Sequence, residues 1–134
     1  MAGYFTESNY ENAVLQLLNE ELGYNYIYGP DVERDYHSPL YEDVLLPSLQ
    51  RINKSLPMDA LTEAIYKLKN FETGTLLQKN MVFMDYLQNG VPVKYYDKGE
   101  ERSTLVYLVD FKNPASNEFT VANQWTFIEN SEKR

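Results

Sequence analysis

The chain has 134 residues and a net charge of −8 at pH 7, from 12 Lys and Arg against 20 Asp and Glu. This balance disfavours tight unaided binding to nucleic-acid phosphates, but it leaves room for a metal-dependent nuclease, because carboxylates hold Mg²⁺. The lack of cysteine excludes disulfides and thiolate zinc sites. No apolar run approaches the ~20 residues of a membrane span. We expect one globular, cytoplasmic domain.

The first predicted element is a helix over residues 7–22. Thr6 suits the N-cap, Glu7 adds negative charge to the first turn, and Phe5 is spaced to pack on Tyr10. Gly23 suits the position that ends a helix. Apolar residues recur at helical spacing, at Tyr10, Ala13, Val14, Leu17, Leu18 and Leu22.

The middle of the chain alternates between turn signals and helical patterns. Residues 24–28 predict a short strand that ends at Gly29-Pro30, and residues 31–37 predict a polar loop. Three more helices are predicted: from Ser38-Pro39 to Asn53 with a kink at Pro47, from Leu56-Pro57 to Asn70, and from Leu76 to Leu87. In the last helix, the apolar stripe of Leu77, Met81 and Met84 is expected to face the core.

The last third of the chain predicts strands. Residues 91–96 form one, followed by a turn over residues 97–99. The apolar run 105–109 predicts a strand buried on both faces, and residues 119–127 alternate as a half-buried strand does. We expect these last two strands to pair antiparallel. The predicted fold class is α+β (mixed α/β), with helices packed on a partial mixed sheet.

One candidate for chemistry is Asp110-Phe111-Lys112, at the end of the buried run. Alternate residues of a strand share a face, so a carboxylate could hold a metal ion while the lysine orients a water molecule. This is half of the motif of PD-(D/E)xK nucleases, and Asp97 or Glu101 would have to supply the second acid. The plainer alternative is a solvated strand end.

A second candidate is the pair Glu7 and Glu11, which lie one turn apart and could add a carboxylate to a metal site. The alternative is the ordinary acidic first turn of a helix. His37 is the one histidine, and its polar neighbours indicate a surface loop. The 12 tyrosines favour a ring-lined, strand-rich core, with exposed binding anchors as the alternative.

Several short stretches, taken in order, resemble the N-terminal region of the R (restriction and motor) subunit of type I restriction enzymes. The similarity spans nearly the whole chain and is strongest in the first helix and from Val109 onward. The stretches are Phe5-Thr6-Glu7 with Glu11, Leu22-Gly23-Tyr24, Tyr28-Gly29-Pro30-Asp31, Val109-Asp110-Phe111 with Asn113-Pro114, and Asn117-Glu118-Phe119 leading to Asn123-Gln124.

The resemblance implies a PD-(D/E)xK-type nuclease domain that cuts DNA with Mg²⁺. In that family an ATP-driven motor follows, and methylation and specificity subunits are the partners. The family's Pro-Asp and Glu-x-Lys elements come after the Asn-Gln strand and would lie beyond Arg134. Residues 1–134 would then be a partial N-terminal nuclease domain, truncated before the catalytic strands.

Under the same resemblance, no catalytic residue is expected within the 134 residues. Glu11 would correspond to the family's helix-one acid, as a supporting metal ligand, and Asp110 with Lys112 would belong to a structural strand. The chain alone would be inactive, bind no cofactor and bind DNA weakly. Two alternatives stay open: a complete small Mg²⁺-dependent nuclease that uses Asp110 and Lys112, and a non-catalytic protein-interaction module.

Overall fold

The computed structural model describes residues 5–72, 74–129 and 132–133. The helices are α1 Glu7–Gln16, α2 Glu42–Ile52, α3 Met58–Lys69 and α4 Leu76–Asn89. The strands are β1 Asn25–Tyr28, β2 Val91–Asp97, β3 Glu100–Val106, β4 Thr120–Asn123, β5 Ile128–Glu129 and β6 Glu132–Lys133. None of the described helices has the length and apolarity that a membrane span requires.

The chain divides into two compact units, residues Met1–Tyr41 with Glu118–Arg134, and residues Glu42–Asn117. The first unit holds α1 and the strand pairs β1–β4 and β5–β6, and the second holds α2, α3, α4 and the pair β2–β3. The mixed α/β class is therefore confirmed. The described strands form three two-stranded sheets rather than one partial mixed sheet.

Helix α1 forms as its sequence predicts. The Thr6 side chain accepts a hydrogen bond from Asn9 N at 3.2 Å, and the rings of Phe5 and Tyr10 meet edge to face at 4.3 Å. The helix continues as a π-helical turn over Leu17–Glu21, and Gly23 follows with φ +75°. However, α1 buries none of its residues, so its apolar face is exposed in the described structure.

The second unit contains the core. Helix α3 packs on the hairpin β2–β3, whose two-residue turn places Lys98 and Gly99 at positive φ, as the twist of a tight hairpin requires. The buried apolar side chains among the described residues all lie here: Leu49, Ala60, Leu61, Ala64, Leu68, Val91, Val93 and Val106.

The strand predicted over residues 105–109 ends at Val106, and its predicted burial on both faces is wrong, because Leu105 is 42% exposed. Gly90 ends α4, so β2 begins at Val91, and Val91 pairs with Val106. No residue of β2 remains to pair with Tyr107. Its backbone is bound by the buried Asn53 instead, whose Nδ2 donates to Tyr107 O at 2.9 Å and whose Oδ1 accepts from Tyr107 N at 2.8 Å.

The predicted pairing of the last two strands is also wrong. Strand β3 pairs antiparallel with β2, and β4 pairs parallel with β1. Strand β4 is four residues long rather than nine, because Gln124 adopts φ +49° and leaves the extended conformation. Parallel strands need a long connection between them, and here most of the chain separates β1 from β4.

Two helix details differ from prediction. Helix α2 begins at Glu42 rather than Ser38, whose side chain accepts from Leu40 N inside a turn. Pro47 lies inside this helix. The stripe on α4 is not core: Leu77, Met81 and Met84 are 70%, 64% and 50% exposed. No described tyrosine is fully buried, so the ring-lined core is wrong as well.

We predict that Leu61→Ala destabilises the chain by about 2–5 kcal/mol, because Leu61 is 1% exposed and its removal leaves a cavity. The matched control is Leu77→Ala, also helical, which should change the free energy of unfolding by less than about 0.5 kcal/mol. Urea unfolding of both variants measures the difference. Equal losses would contradict the placement of the core.

Candidate functional site

The candidate site is built around Glu11, on α1 one turn after Glu7. Its two carboxylate oxygens accept hydrogen bonds from Gln124 Nε2 at 3.0 and 3.3 Å. These side chains are 113 residues apart in sequence, so the fold alone brings them together. Hydrogen bonds to a charged acceptor are stronger than those between neutral groups.

Gln124 follows directly on the carboxyl end of a parallel strand pair. The last paired residues of β1 and β4 are Tyr28 and Asn123. In sheets with parallel strands, ligands bind at the carboxyl ends of the strands, where loops bring polar groups together. Glu11 and Gln124 therefore meet at the edge of the pair where this general rule places a binding site.

Gly29 allows the two strands to come together at this end. A Cβ atom at Gly29 would lie 2.7 Å from the carbonyl oxygen of Gln124 and closer still to that of Asn123. Such distances are too short for any side chain. The Tyr26 hydroxyl adds a hydrogen bond to Asn123 Oδ1 at 3.0 Å. The backbone before Gln124 is thus held on the side of β1.

The backbone after Gln124 is held by the loop over residues 34–39. The Arg34 guanidinium lies 3.9 Å from the centroid of the Trp125 ring, and its Nη2 donates to Thr126 O. Trp125 Nε1 donates to Pro39 O at 3.0 Å. A guanidinium over an aromatic face is favourable by about 0.5–2 kcal/mol. Gln124 therefore projects from a segment that is fixed on both sides.

A shallow depression of about 400 Å³ adjoins Glu11. Its lining is mostly apolar, and the side chains that form it are Glu7, Tyr10, Glu11, Val14, Leu15, Val121, Ala122 and Asn123. Carboxylate oxygens are the ligands that Mg²⁺ prefers, and one or two of them usually suffice beside phosphate and water. Glu11 fits as one such ligand, but no group of three or more His, Asp or Glu side chains is gathered within the described ranges.

The structure does not place Asp110 at a strand end. β3 stops at Val106, and Asp110 Oδ1 accepts from Lys112 N at 3.0 Å and Asn113 N at 2.9 Å. This side chain therefore forms a turn with its own backbone. The two acids considered as partners of Asp110 form ion pairs on the hairpin instead. Asp97 lies 3.9 Å from Arg102, and Glu101 lies 3.5 Å from Lys94.

His37 lies on the surface as predicted. Its side chain is 71% exposed, and Nδ1 lies 3.2 Å from Asp35 Oδ1 in the same loop. Sequence reasoning missed Gln124 and Gly29 as parts of a site. The only available signal was the resemblance, whose quoted stretches include Tyr28-Gly29-Pro30-Asp31 and Asn123-Gln124.

A sequence comparison decides the family. Residues 4–134 match the family described as the type I restriction enzyme R protein N terminus. The chain belongs to this family. The match confirms the resemblance and includes every residue of the Glu11 site. The PD-(D/E)xK likeness of this R protein N terminus stays a prediction.

Two curated relatives agree with the family. The chain is 29% identical over 126 residues to the "Type I restriction enzyme HindI endonuclease subunit" of Haemophilus influenzae, covering 88% of this chain. It is 31% identical over 121 residues to the "Putative type I restriction enzyme MjaIXP endonuclease subunit" of Methanocaldococcus jannaschii, covering 86% of this chain. The matched region spans 12% of each relative. No solved structure matches the chain significantly.

We predict that Gly29→Ala displaces Asn123 and Gln124 from β1, because the new Cβ atom would overlap their carbonyl oxygens. The cost should be about 2 kcal/mol or more, as for other forced backbone shifts. Trp125 is the one tryptophan of the chain, so its fluorescence reports the change next to Gln124.

The control is Gly99→Ala in the hairpin turn. There a Cβ atom meets nothing within 4 Å, although φ is +81°. This variant should lose about 1 kcal/mol through backbone strain and keep the native Trp125 spectrum. An unchanged spectrum and native stability in Gly29→Ala would contradict the close approach.

Proposed function

We propose that this chain is the N-terminal part of the DNA-cleaving R subunit of a type I restriction enzyme. The observation that carries the proposal is the family match over residues 4–134, combined with a carboxylate at the carboxyl end of parallel strands. The names of both relatives describe endonuclease subunits of such enzymes. DNA, Mg²⁺, ATP, a cytoplasmic location and partner subunits for methylation and specificity form part of the proposal for the whole protein.

Within this subunit, Glu11 acts as a supporting acid of a PD-(D/E)xK-type nuclease site. A bound Mg²⁺ ion supplies an activated water molecule and neutralises charge on the phosphate. Glu11 offers one oxygen ligand for such an ion. We place the remaining acids and the lysine of the site outside residues 1–134, so the chain alone should not cut DNA.

The negative net charge of the chain supports a model in which other parts of the enzyme bind the DNA. The chain carries −8, so its surface on balance repels a phosphate backbone. In this proposal, the DNA is held by other parts of the enzyme, and the chain contributes to the reaction rather than to affinity. DNA cleavage is therefore the activity that should respond to a change in the Glu11 site.

We predict that Glu11→Gln in the full-length R subunit, assembled with its partner subunits, lowers DNA cleavage about 10- to 100-fold, as changes next to a metal ion typically do. Glutamine keeps the size of the side chain and removes its charge. ATP hydrolysis should stay at the wild-type rate, because the proposed motor lies in another part of the subunit. Cleavage of plasmid DNA and phosphate release measure the two activities.

The matched control is Asp110→Asn, which also exchanges a carboxylate for an amide of the same size. Its amide oxygen can still accept from Lys112 N and Asn113 N, so the turn is kept. Cleavage should be unchanged. Loss of cleavage in Asp110→Asn with full activity in Glu11→Gln would instead support a nuclease that uses Asp110 and Lys112.

A further inference from the structure

We propose that Gln124 is a positioning residue for Glu11, holding its carboxylate in the one orientation that DNA cleavage uses. This inference deepens the proposed function and rests on it. It assigns a role to a residue outside the acids and lysine that make up a metal-dependent nuclease site. Glu11, Gln124 and the residues that hold them all lie in the first unit.

The geometry of the contact fixes the direction of the carboxylate. Gln124 Nε2 lies 3.0 Å from Oε1 and 3.3 Å from Oε2, so one amide group donates to both oxygens of Glu11. A free glutamate side chain loses rotamer entropy when a ligand orders it. The Gln124 amide orders the Glu11 side chain before any ligand binds. Lone pairs remain on both oxygens for a ligand, because a carboxylate can accept about four hydrogen bonds.

The amide can act in this way because its own backbone is fixed. Gly29 and Tyr26 hold the chain before Gln124, and Arg34 holds it directly afterwards. The φ angle of +49° at Gln124 turns the chain out of β4 at this residue. A supporting side chain positions its partner accurately only when it projects from a rigid element.

Residues that are chemically similar to glutamine could not make this contact at position 124. Asparagine tolerates a positive φ angle, but it is one methylene shorter and would not reach Glu11. Glutamate has the right length, but it would bring a second negative charge against the first. Glutamine combines the required length with a neutral donor.

The first experiment uses the full-length R subunit, assembled with its partner subunits. Gln124→Asn should lower DNA cleavage about 10-fold, leaving ATP hydrolysis and the unfolding temperature unchanged. The matched control is Gln16→Asn, which removes an exposed hydrogen bond of the same kind, from Gln16 Nε2 to Glu20 at 3.0 Å. This control should cleave DNA as the wild type does.

A double-mutant cycle separates positioning from a general structural role. In a Glu11→Gln background, Gln124→Asn should cause no further loss of cleavage, because the carboxylate that it positions is gone. A purely structural role would produce the same additional loss in both backgrounds, and that result would overturn the inference. Wild-type cleavage by Gln124→Asn alone would overturn it too, leaving the proposed function intact if Glu11→Gln is still impaired.

A side-chain exchange supplies a readout other than activity. Gln124→Glu alone sets two carboxylates together and should lower the unfolding temperature. Combining it with Glu11→Gln restores an amide–carboxylate pair with the two groups exchanged, so the unfolding temperature should recover. Cleavage should stay low, because the carboxylate is now on the wrong element. If cleavage recovers with stability, the position of the carboxylate does not matter and the inference is wrong. If Glu11→Gln alone cleaves normally, the role of Glu11 in the proposed function fails first.

Discussion

The candidate site depends on one backbone contact, the approach of Gly29 to the carbonyl groups of Asn123 and Gln124. It sits where the parallel pair β1–β4 ends, and only glycine fits there. The contact fixes where the chain leaves β4 and hence where the Gln124 amide projects. Glu11, on α1, accepts hydrogen bonds from that amide. A turn glycine, two short strands and one helix thus suffice to present an oriented carboxylate.

The same region leaves apolar side chains exposed. Two-stranded parallel sheets rarely occur alone, since parallel strands are normally covered on both faces. α1 buries no residue, and Tyr10 and Val14 on its apolar face are 61% and 53% exposed. Exposed apolar surfaces of this kind mark interaction sites.

Local signals predicted the helices and turns well, and they failed on pairing. Helix caps and turns depend on residues that are close in sequence, so the sequence alone predicts them. Examples are Thr6, Gly23 and the Lys98-Gly99 turn. The partner of β4 is not, because β1 lies about a hundred residues earlier. The strand predicted over residues 105–109 ends at Val106 for the same reason, since its end depends on a distant partner. Val91 is the first residue of β2 and pairs with Val106, so Tyr107 is bound by Asn53 instead. At the site, helical spacing identified Glu11 as one of two candidate acids, whereas the contact between Gln124 and Glu11 arises from the fold and has no local signal in the sequence.

The most direct test of this account is the register of β1 against β4. The chain has no cysteine, so a single engineered pair can report it. Ile27 lies opposite Ala122, and Ile27→Cys with Ala122→Cys should form an intramolecular disulfide rapidly on mild oxidation, since paired strand residues lie within disulfide reach. Asn25→Cys with Asn123→Cys, displaced along the same strands, should cross-link far more slowly. Equal rates for the two pairs, measured by mass spectrometry, would contradict the parallel pairing and the site built on it.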